Sequence, residues 1–355
     1  MVQTRYVAER LESYWEGLTC EIVPFSTKGD ETQAAGIPLP KIGGKGLFTA
    51  ELEAALRNNH IDIAVHSLKD LPVDNPDELI VGAIPERVDP RDVLVSKGGS
   101  SLDSLPEGAV VGTSSLRRQS QILAYRPDLI VRSIRGNVDT RLRKVKEGDY
   151  DAAILAAAGL IRLGLDGEVS DWLSYEIMLP APGQGALGVQ CRESDKETLR
   201  ILAPIHDEET ATAVAAERHF LQGLGGGCSL PVGAFAQQTE DQVDLVGRVF
   251  SIDGIKRVAV RLAGHDSVKL GHELADIALR SGAGKLLSKP SLLKGKRVVV
   301  TRSPHQARAF SEKLLEREAF PIEFPTLKLI RLPAVDFEHF DFNAFDWVVF
   351  TSGNA

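Results

Sequence analysis

Short runs of β-branched and apolar residues alternate along most of this chain with longer segments of helical period, and turns rich in glycine, serine or proline separate them. That alternation restricts the fold to helices layered on sheet, because each strand run needs a cover and each helical stripe needs a floor. The fold class is therefore α/β, with mainly parallel sheets expected. The most regular series is a strand at Ala109–Gly112, a helix at Ser115–Tyr125, a strand at Leu129–Ile134, a helix at Val138–Lys146 and a buried strand at Ala152–Leu155. Upstream, Val2–Leu18 reads as a helix with Val7, Leu11 and Leu18 among its apolar positions. Cys20–Phe25 reads as a strand, Leu47–Leu56 as a helix and Ile61–His66 as a strand. Pro85–Asp92, rich in proline and acid, reads as a crossing between domains.

Leu179–Gly188, with two prolines and three glycines, leads back into a strand at Val189–Cys191. The Ala-rich helix Thr210–Leu221 then opens a third unit that runs to about Leu287. A polar linker precedes a strand at Leu293–Thr301, a helix at Gln306–Arg317 and a strand at Trp347–Thr351. This last stretch reads as the opening of a further domain, too short to be stable alone. The length of 355 residues agrees with several domains, since about 150 residues is usual for one.

Charge narrows the function. Lys plus Arg number 41 against 49 Asp plus Glu, a net charge of −8, which repels nucleic acid and anionic membranes. Any anion must therefore be met by a local basic patch. No apolar run reaches the roughly 18 residues that span a bilayer, and Arg5, Glu9, Arg10, Glu12 and Glu16 do not suit a signal peptide, so a cytoplasmic location is expected. Cys20, Cys191 and Cys228 are far apart and never spaced as C-x-x-C, which argues against a disulfide framework and a structural zinc site.

The densest chemical signal is V-G-T-S-S-L-R-R-Q, Val111 to Gln119, where Thr113, Ser114 and Ser115 form a strand-to-helix turn followed by Arg117 and Arg118. Free backbone N–H groups and the positive helix end favour an anion there. S-I-R-G-N-V-D-T-R, Ser133 to Arg141, repeats the arrangement with Arg135, Gly136, Asn137 and Arg141. One such turn is explained by helix capping and solvated arginines. Two at the carboxyl ends of strands in one sheet point to a shared cleft for a polycarboxylate or phosphate, which arginine grips with paired hydrogen bonds.

Three further clusters accompany it. K-I-G-G-K-G-L-F, Lys41 to Phe48, fails the phosphate-loop pattern and remains a glycine loop with Lys41 and Lys45, suited to closing over an anion or to turning. I-D-I-A-V-H-S-L-K-D-L-P, Ile61 to Pro72, runs a strand into His66, Ser67, Lys69 and Asp70. His66 and Ser67 are neighbours on a strand and point to opposite faces, which rejects a catalytic triad. No further metal ligands lie nearby, so no metal is expected. Asp70 suits a carboxylate that stabilises a developing cation or moves protons, with Lys69 as an anion contact, or else a simple turn residue. In Q-G-L-G-G-G-C-S-L-P, Gln222 to Pro231, four glycines precede Cys228. They leave an accessible thiol there, with Arg218 and His219 as candidates for lowering its pKa. Cys20 and Cys191 bound apolar strands and read as inert core residues.

Together these motifs, with P-A-P-G-Q-G-A-L-G, closely resemble hydroxymethylbilane synthase, also called porphobilinogen deaminase, in family order from about Val2 to Leu287. The tail from Leu293 resembles the start of uroporphyrinogen-III synthase, notably in R-V-V-V-T-R and F-D-W-V-V-F-T-S-G-N, as in a fusion of two enzymes. The resemblance implies a transferase of porphyrin, tetrapyrrole and heme biosynthesis. Such an enzyme condenses four porphobilinogen molecules head to tail with loss of ammonia, then releases the linear tetrapyrrole by hydrolysis. It implies a dipyrromethane cofactor joined by a thioether to Cys228, and no metal. Asp70 matches the catalytic carboxylate, which assists ammonia loss to an azafulvene and stabilises positive pyrrole nitrogens. Lys41, Lys45, Lys69, Arg117, Arg118, Arg135, Arg141 and Arg162 match cationic contacts to cofactor and substrate carboxylates. Phe48 aligns with a position that packs against the pyrroles, and Gln184 with the domain-connecting region.

The implied architecture has three α/β domains. Two resemble type II periplasmic binding proteins hinged by two crossovers, and a smaller one carries the cofactor. On this sequence they fall at 1–87 with 186–204, at 88–185 and at 205–290, followed by an incomplete uroporphyrinogen-III synthase-like segment at 294–355. The family's opening strand, R-x-S-x-L-A-x-x-Q, is met here only near its last residue, Gln3, which implies a costly gap in the first sheet. A monomer that hands its product to uroporphyrinogen-III synthase is expected. The alternatives are a non-catalytic binding protein for an anionic metabolite and an inactive fragment of a bifunctional fusion; Cys228 separates the first of these from the enzyme.

Overall fold

The computed structural model describes residues 2–25, 49–226, 230–287, 293, 296–302, 304–315, 317 and 319–326. The chain divides into a unit at Met1–Leu287 and a second at Ser288–Ala355.

In chain order the first unit opens with α1 (Val2–Tyr14), α2 (Ala50–Arg57) and β1 (Ile63–Ser67), which passes directly into a three-residue 3-10 turn, Leu68–Asp70. Strands β2 (Leu79–Ala83), β3 (Asp92–Ser96) and β4 (Val110–Gly112) lead to α3 (Leu116–Tyr125), β5 (Ile130–Arg132), α4 (Val138–Glu147), β6 (Ala152–Ala156), α5 (Ala157–Arg162) and β7 (Asp171–Trp172). Then come β8 (Leu187–Arg192), α6 (Lys196–Leu202) and α7 (Glu208–Gly223). β9 (Val232–Gln238), β10 (Val243–Phe250), β11 (Arg257–Gly264), α8 (Ser267–Arg280) and α9 (Ala283–Leu287) complete the unit.

These strands form three sheets, ordered β1-β8-β2, β5-β4-β6-β3-β7 and β11-β10-β9. The mainly parallel arrangement expected from the alternation holds only for β5, β4 and β6. β3 pairs antiparallel with β6 and β7, and every pair in the other two sheets is antiparallel. The fold is thus mixed α/β. The reason lies in the connections: Pro85–Asp92 and Leu179–Gly188 carry the chain into and out of the five-stranded sheet, so β8 returns against β1 and β2 from the opposite direction. β3 was hidden because it follows the crossing without a turn signal, although all five of its residues are buried.

Cys20–Phe25, expected as a strand, has no ladder partner among the described residues. Its first backbone N–H is taken by the Glu12 carboxylate at 2.7 Å instead. Strand-forming composition alone does not make a strand without a neighbour to bond.

α1 buries Val7 and Leu11 against Leu187, Val189 and Cys191 of β8. Cys191 is buried and Cys20 half-buried, and burial raises both thiol pKa values, as suits inert core cysteines. α7 and α8 pack on the third sheet around Phe220, Leu245 and Leu274. Gly247 on β10 leaves room for Phe220, whose ring would lie 2.4 Å from a Cβ placed there. In the second unit, β12 (Arg297–Val300) pairs parallel with β13 (Phe320–Glu323), and α10 (Pro304–Leu315) covers them through Ala307 and Leu314. The strand expected at Trp347–Thr351 lies outside the described residues.

Candidate active site

Strand ends and helix starts build the site. Ser115 caps α3 by accepting from Arg118 N, and Asn137 caps α4 by accepting from Thr140 N at 2.9 Å. Gly136, at φ +114, makes the tight turn before that cap. Thr113 is buried and its hydroxyl accepts from Ser115 N, while the Ser114 hydroxyl donates to the Ile134 carbonyl at 2.6 Å. Capping therefore explains Ser115 and Asn137 locally, while Ser114 ties the two turns together. Capping does not explain the arginines.

A cleft of about 300 Å³ lies beside these turns. It brings together Lys69 and Asp70 from the turn after β1, Ser114 and Ser115 from the turn after β4, and Arg117, Arg118 and Arg141 from the two helices. Gln184 of the returning crossover also lines it, as do Leu221 and Leu230, which stand on either side of the segment 227–229 in the sequence. Asp70 keeps an exposed surface that opens into this recess. Enclosure by protein raises its pKa above the ordinary carboxylate value, and the Lys69 ammonium opposes that rise. The same enclosure lowers the Lys69 pKa, with Asp70 pulling the other way and Arg118 adding to the fall. Burial, then the charges of Arg118 and Arg135, bring Arg141 down to about 10. Crowded cations suit a polycarboxylate ligand, and a carboxylate beside them can stabilise positive charge that develops nearby.

Arg117 and Arg118 are buried and anchored from behind by Asp92. Arg117 Nη1 lies 2.5 Å from Asp92 Oδ2 and donates to the Leu179 carbonyl at 2.6 Å. Arg118 Nη2 lies 2.7 Å from Asp92 Oδ1, and its Nη1 donates to the Ile154 carbonyl at 2.9 Å. Gln184 Nε2 donates to Asp92 Oδ1 at 2.9 Å and to the Pro90 carbonyl at 2.8 Å, joining both crossovers to the same carboxylate. Burial would raise the Asp92 pKa, but the two guanidinium charges outweigh it and hold the value at about 2. Behind this group Glu217 of α7 is paired with Arg87 at 2.7 Å and accepts from Gly183 N at 2.7 Å and Ala236 N at 2.9 Å.

Several expected residues stand apart from the cleft lining. Ser67 bonds Gln3 Nε2 at 3.0 Å, and Arg162 donates to the Gly185 carbonyl at 2.7 Å. Thr113, Gly136 and Asn137 shape the turns, and Arg135 acts on the cleft through its charge near Arg141. His66 is buried and Ser67 half-buried on alternate faces of β1, as expected from strand geometry. Arg218 donates to two backbone carbonyls, Leu68 and Pro72. His219 Nδ1 bonds Ala215 O at 2.8 Å. Lys41, Lys45, Phe48 and Cys228 lie outside the described residues.

Asp92, Glu217 and Arg87 were missed. A signal existed: an acid opening the apolar run D-V-L-V-S, and another inside the Ala-rich helix, must be paired if buried. Which cations would pair with them was not readable.

Two family models match the chain: "Porphobilinogen deaminase, dipyromethane cofactor binding domain" over residues 1–200, and "Porphobilinogen deaminase, C-terminal domain" over residues 211–280. Porphobilinogen deaminase of Brevibacillus brevis is 50% identical over 289 residues, covering 81% of this chain and 93% of the relative. That of Syntrophotalea carbinolica is 48% identical over 288 residues, covering 81% and 91%. Among solved structures, the BvgS periplasmic VFT2 domain of Bordetella pertussis overlaps with a TM-score of 0.33 at 17% identity, covering 61% of this chain and 83% of that one. The extent and level of the sequence matches assign the chain to the porphobilinogen deaminase family.

Proposed function

We infer that the chain is a transferase that condenses porphobilinogen into hydroxymethylbilane for porphyrin and heme synthesis. The observation that carries this reading is the cleft that joins Asp70, Lys69 and three arginines to Leu230, two residues along the chain from Cys228. A dipyrromethane bound through Cys228 would supply the nucleophilic pyrrole carbon for the first unit, and each later unit would join the free α-carbon of the unit before it. The cation-rich lining fits such a group, because every pyrrole brings two carboxylates.

In this reading Arg117, Arg118, Arg141 and Lys69 hold those carboxylates and cancel the charge that accumulates. Asp70 acts in its ionised form, stabilising positive charge on pyrrole nitrogen as ammonia leaves, and again as the new carbon–carbon bond forms. Lys41, Lys45, Phe48, Ser67, Thr113, Ser114, Ser115, Arg135, Gly136, Asn137, Arg162 and Gln184 are proposed as further contacts to cofactor and substrate.

The proposed domain division is 1–87 with 186–204, 88–185, 205–290 and 294–355; three separate sheets within residues 1–287 support the first three parts. The first two are read as periplasmic-binding-protein-like. The tail is read as part of a uroporphyrinogen-III synthase domain, which would receive the product. A cytoplasmic monomer is proposed; no helix among the described residues is long and apolar enough to cross a membrane.

Intact mass spectrometry of the full chain tests the reading. A covalent adduct should be present, should grow stepwise with porphobilinogen, and should vanish in Cys228→Ser. An equal mass difference from the calculated chain in wild type and variant would remove Cys228 as the attachment point.

A further inference from the structure

α7, the helix that precedes Cys228, also grips the turn that carries Asp70. Arg218 is buried on α7, and its Nη1 donates to the Leu68 carbonyl at 3.0 Å while Nη2 donates to the Pro72 carbonyl at 2.5 Å. Those carbonyls bracket Lys69 and Asp70. One helical turn later Gln222 Nε2 donates to Asp74 Oδ1 at 2.7 Å. Residues four apart share a helix face, so one face of α7 holds residues 68 to 74 at three points. From the returning crossover, Ala186 O accepts from Leu68 N at 3.0 Å.

The turn needs such support. Its one internal bond, Leu71 N to Leu68 O at 3.2 Å, is all that closes the 3-10 geometry, and Leu68 itself is buried. Arginine's rigid planar fork can satisfy two carbonyls at once, whereas a lysine ammonium lacks that fixed spread. We propose that Arg218 is a positioning residue for the reaction, clamping the carbonyls of residues 68 and 72 so that the Asp70 carboxylate stands at a set distance from the end of α7, from which the chain runs on to Cys228, with Gln222 as an outer tether. This rests on reading Asp70 as the reacting carboxylate and Cys228 as the attachment point.

Without the clamp the two carbonyls turn toward water, the turn opens and Asp70 shifts. Asp70 is then better hydrated, which removes the main cause of its raised pKa. Because the ionised form acts, rate is lost as pH falls through that pKa. Loosening the turn therefore moves the acid limb of the rate profile to lower pH.

The experiment compares full-length wild type with Arg218→Met, Arg218→Lys, Gln222→Ala and Asp70→Asn, measuring intact mass, melting temperature, and kcat and KM for porphobilinogen across pH. Arg218→Met should keep its covalent adduct while kcat falls about 10- to 100-fold, as misplacement of a reacting group predicts. KM should stay within about twofold, since uniform binding is untouched. Its acid limb should move down. Arg218→Lys should recover part of kcat, and Gln222→Ala should move kcat and the limb the same way by less. A wild-type kcat and acid limb in Arg218→Met, or a loss confined to KM, overturns the clamp. If Arg218→Met does not fold, wild-type kcat and limb in both Arg218→Lys and Gln222→Ala overturn it. Full turnover in Asp70→Asn instead overturns the underlying reading, and so separates the two failures.

Discussion

The Asp92 carboxylate and the Arg117 guanidinium, 25 residues apart in the chain, meet at 2.5 Å, both buried, with Asp92 behind the cleft that Arg117 lines. Arg118 takes the other carboxylate oxygen, so one negative charge sustains two positive ones. Asp92→Asn leaves both guanidiniums buried without that charge, and the expected cost is about 3 to 5 kcal/mol. A urea titration should show the midpoint falling with the slope unchanged; an unmoved midpoint would contradict the pairing.

The same carboxylate sets a pH dependence. Its folded pKa of about 2 lies below the ordinary 3.8, so its contribution is fully present above the unfolded value and is lost as pH falls through about 2. The size is about 2 kcal/mol by linkage. Wild-type stability measured from pH 5 downward should carry this decline, and Asp92→Asn should lack that part of it.

Asp70→Asn keeps the side chain's shape and removes its charge. Turnover should fall by about 100- to 1,000-fold, the usual loss when a preorganised group facing developing charge is removed. The covalent adduct should persist in the intact mass. Single-turnover kinetics with porphobilinogen check the first point, and undiminished bond formation would clear Asp70 of its role.

Arg141 sits among like charges, with Arg118 and Arg135 nearby and its own guanidinium half-buried. A multivalent anion relieves that repulsion. Citrate at 100 times its dissociation constant should stabilise the protein by about 2.7 kcal/mol, and Arg141→Gln should shrink the rise in melting temperature. Equal rises in both proteins would locate the anion elsewhere.

Gly185, on the returning crossover, has φ +89, and a Cβ there would lie 2.2 Å from the Val88 carbonyl oxygen on the other crossover. Gly185→Ala combines a left-handed backbone with a clash against main chain. A loss of about 3 kcal/mol follows, readable by calorimetry, whereas Gly167→Ala, which meets nothing within 4 Å and has no positive φ, should leave stability nearly unchanged.

The series from β4 to β6 was legible because each strand, cap and helix there is encoded by neighbours in sequence: Ser115 and Asn137 sit one residue before the helices they cap. Asp70, Lys69 and the arginines of both turns were also picked out locally, since strand ends expose polar groups in a recognisable order. β3 and the antiparallel return of β8 were not, because strand direction depends on where a crossing chain lands.

The sequence by itself determined the layered helix-and-sheet character, the two capped turns, the candidate carboxylate and cations, and, through its motifs, the family. Only the tertiary structure decided what those charges do. Arg117 and Arg118 are held by Asp92, and Arg218 reaches the backbone on either side of Asp70. The physical reason is range: propensity, capping and motif spacing act over a few residues, whereas a buried charge is satisfied by whichever partner the packing brings within 3 Å, here from 25 to 150 residues away.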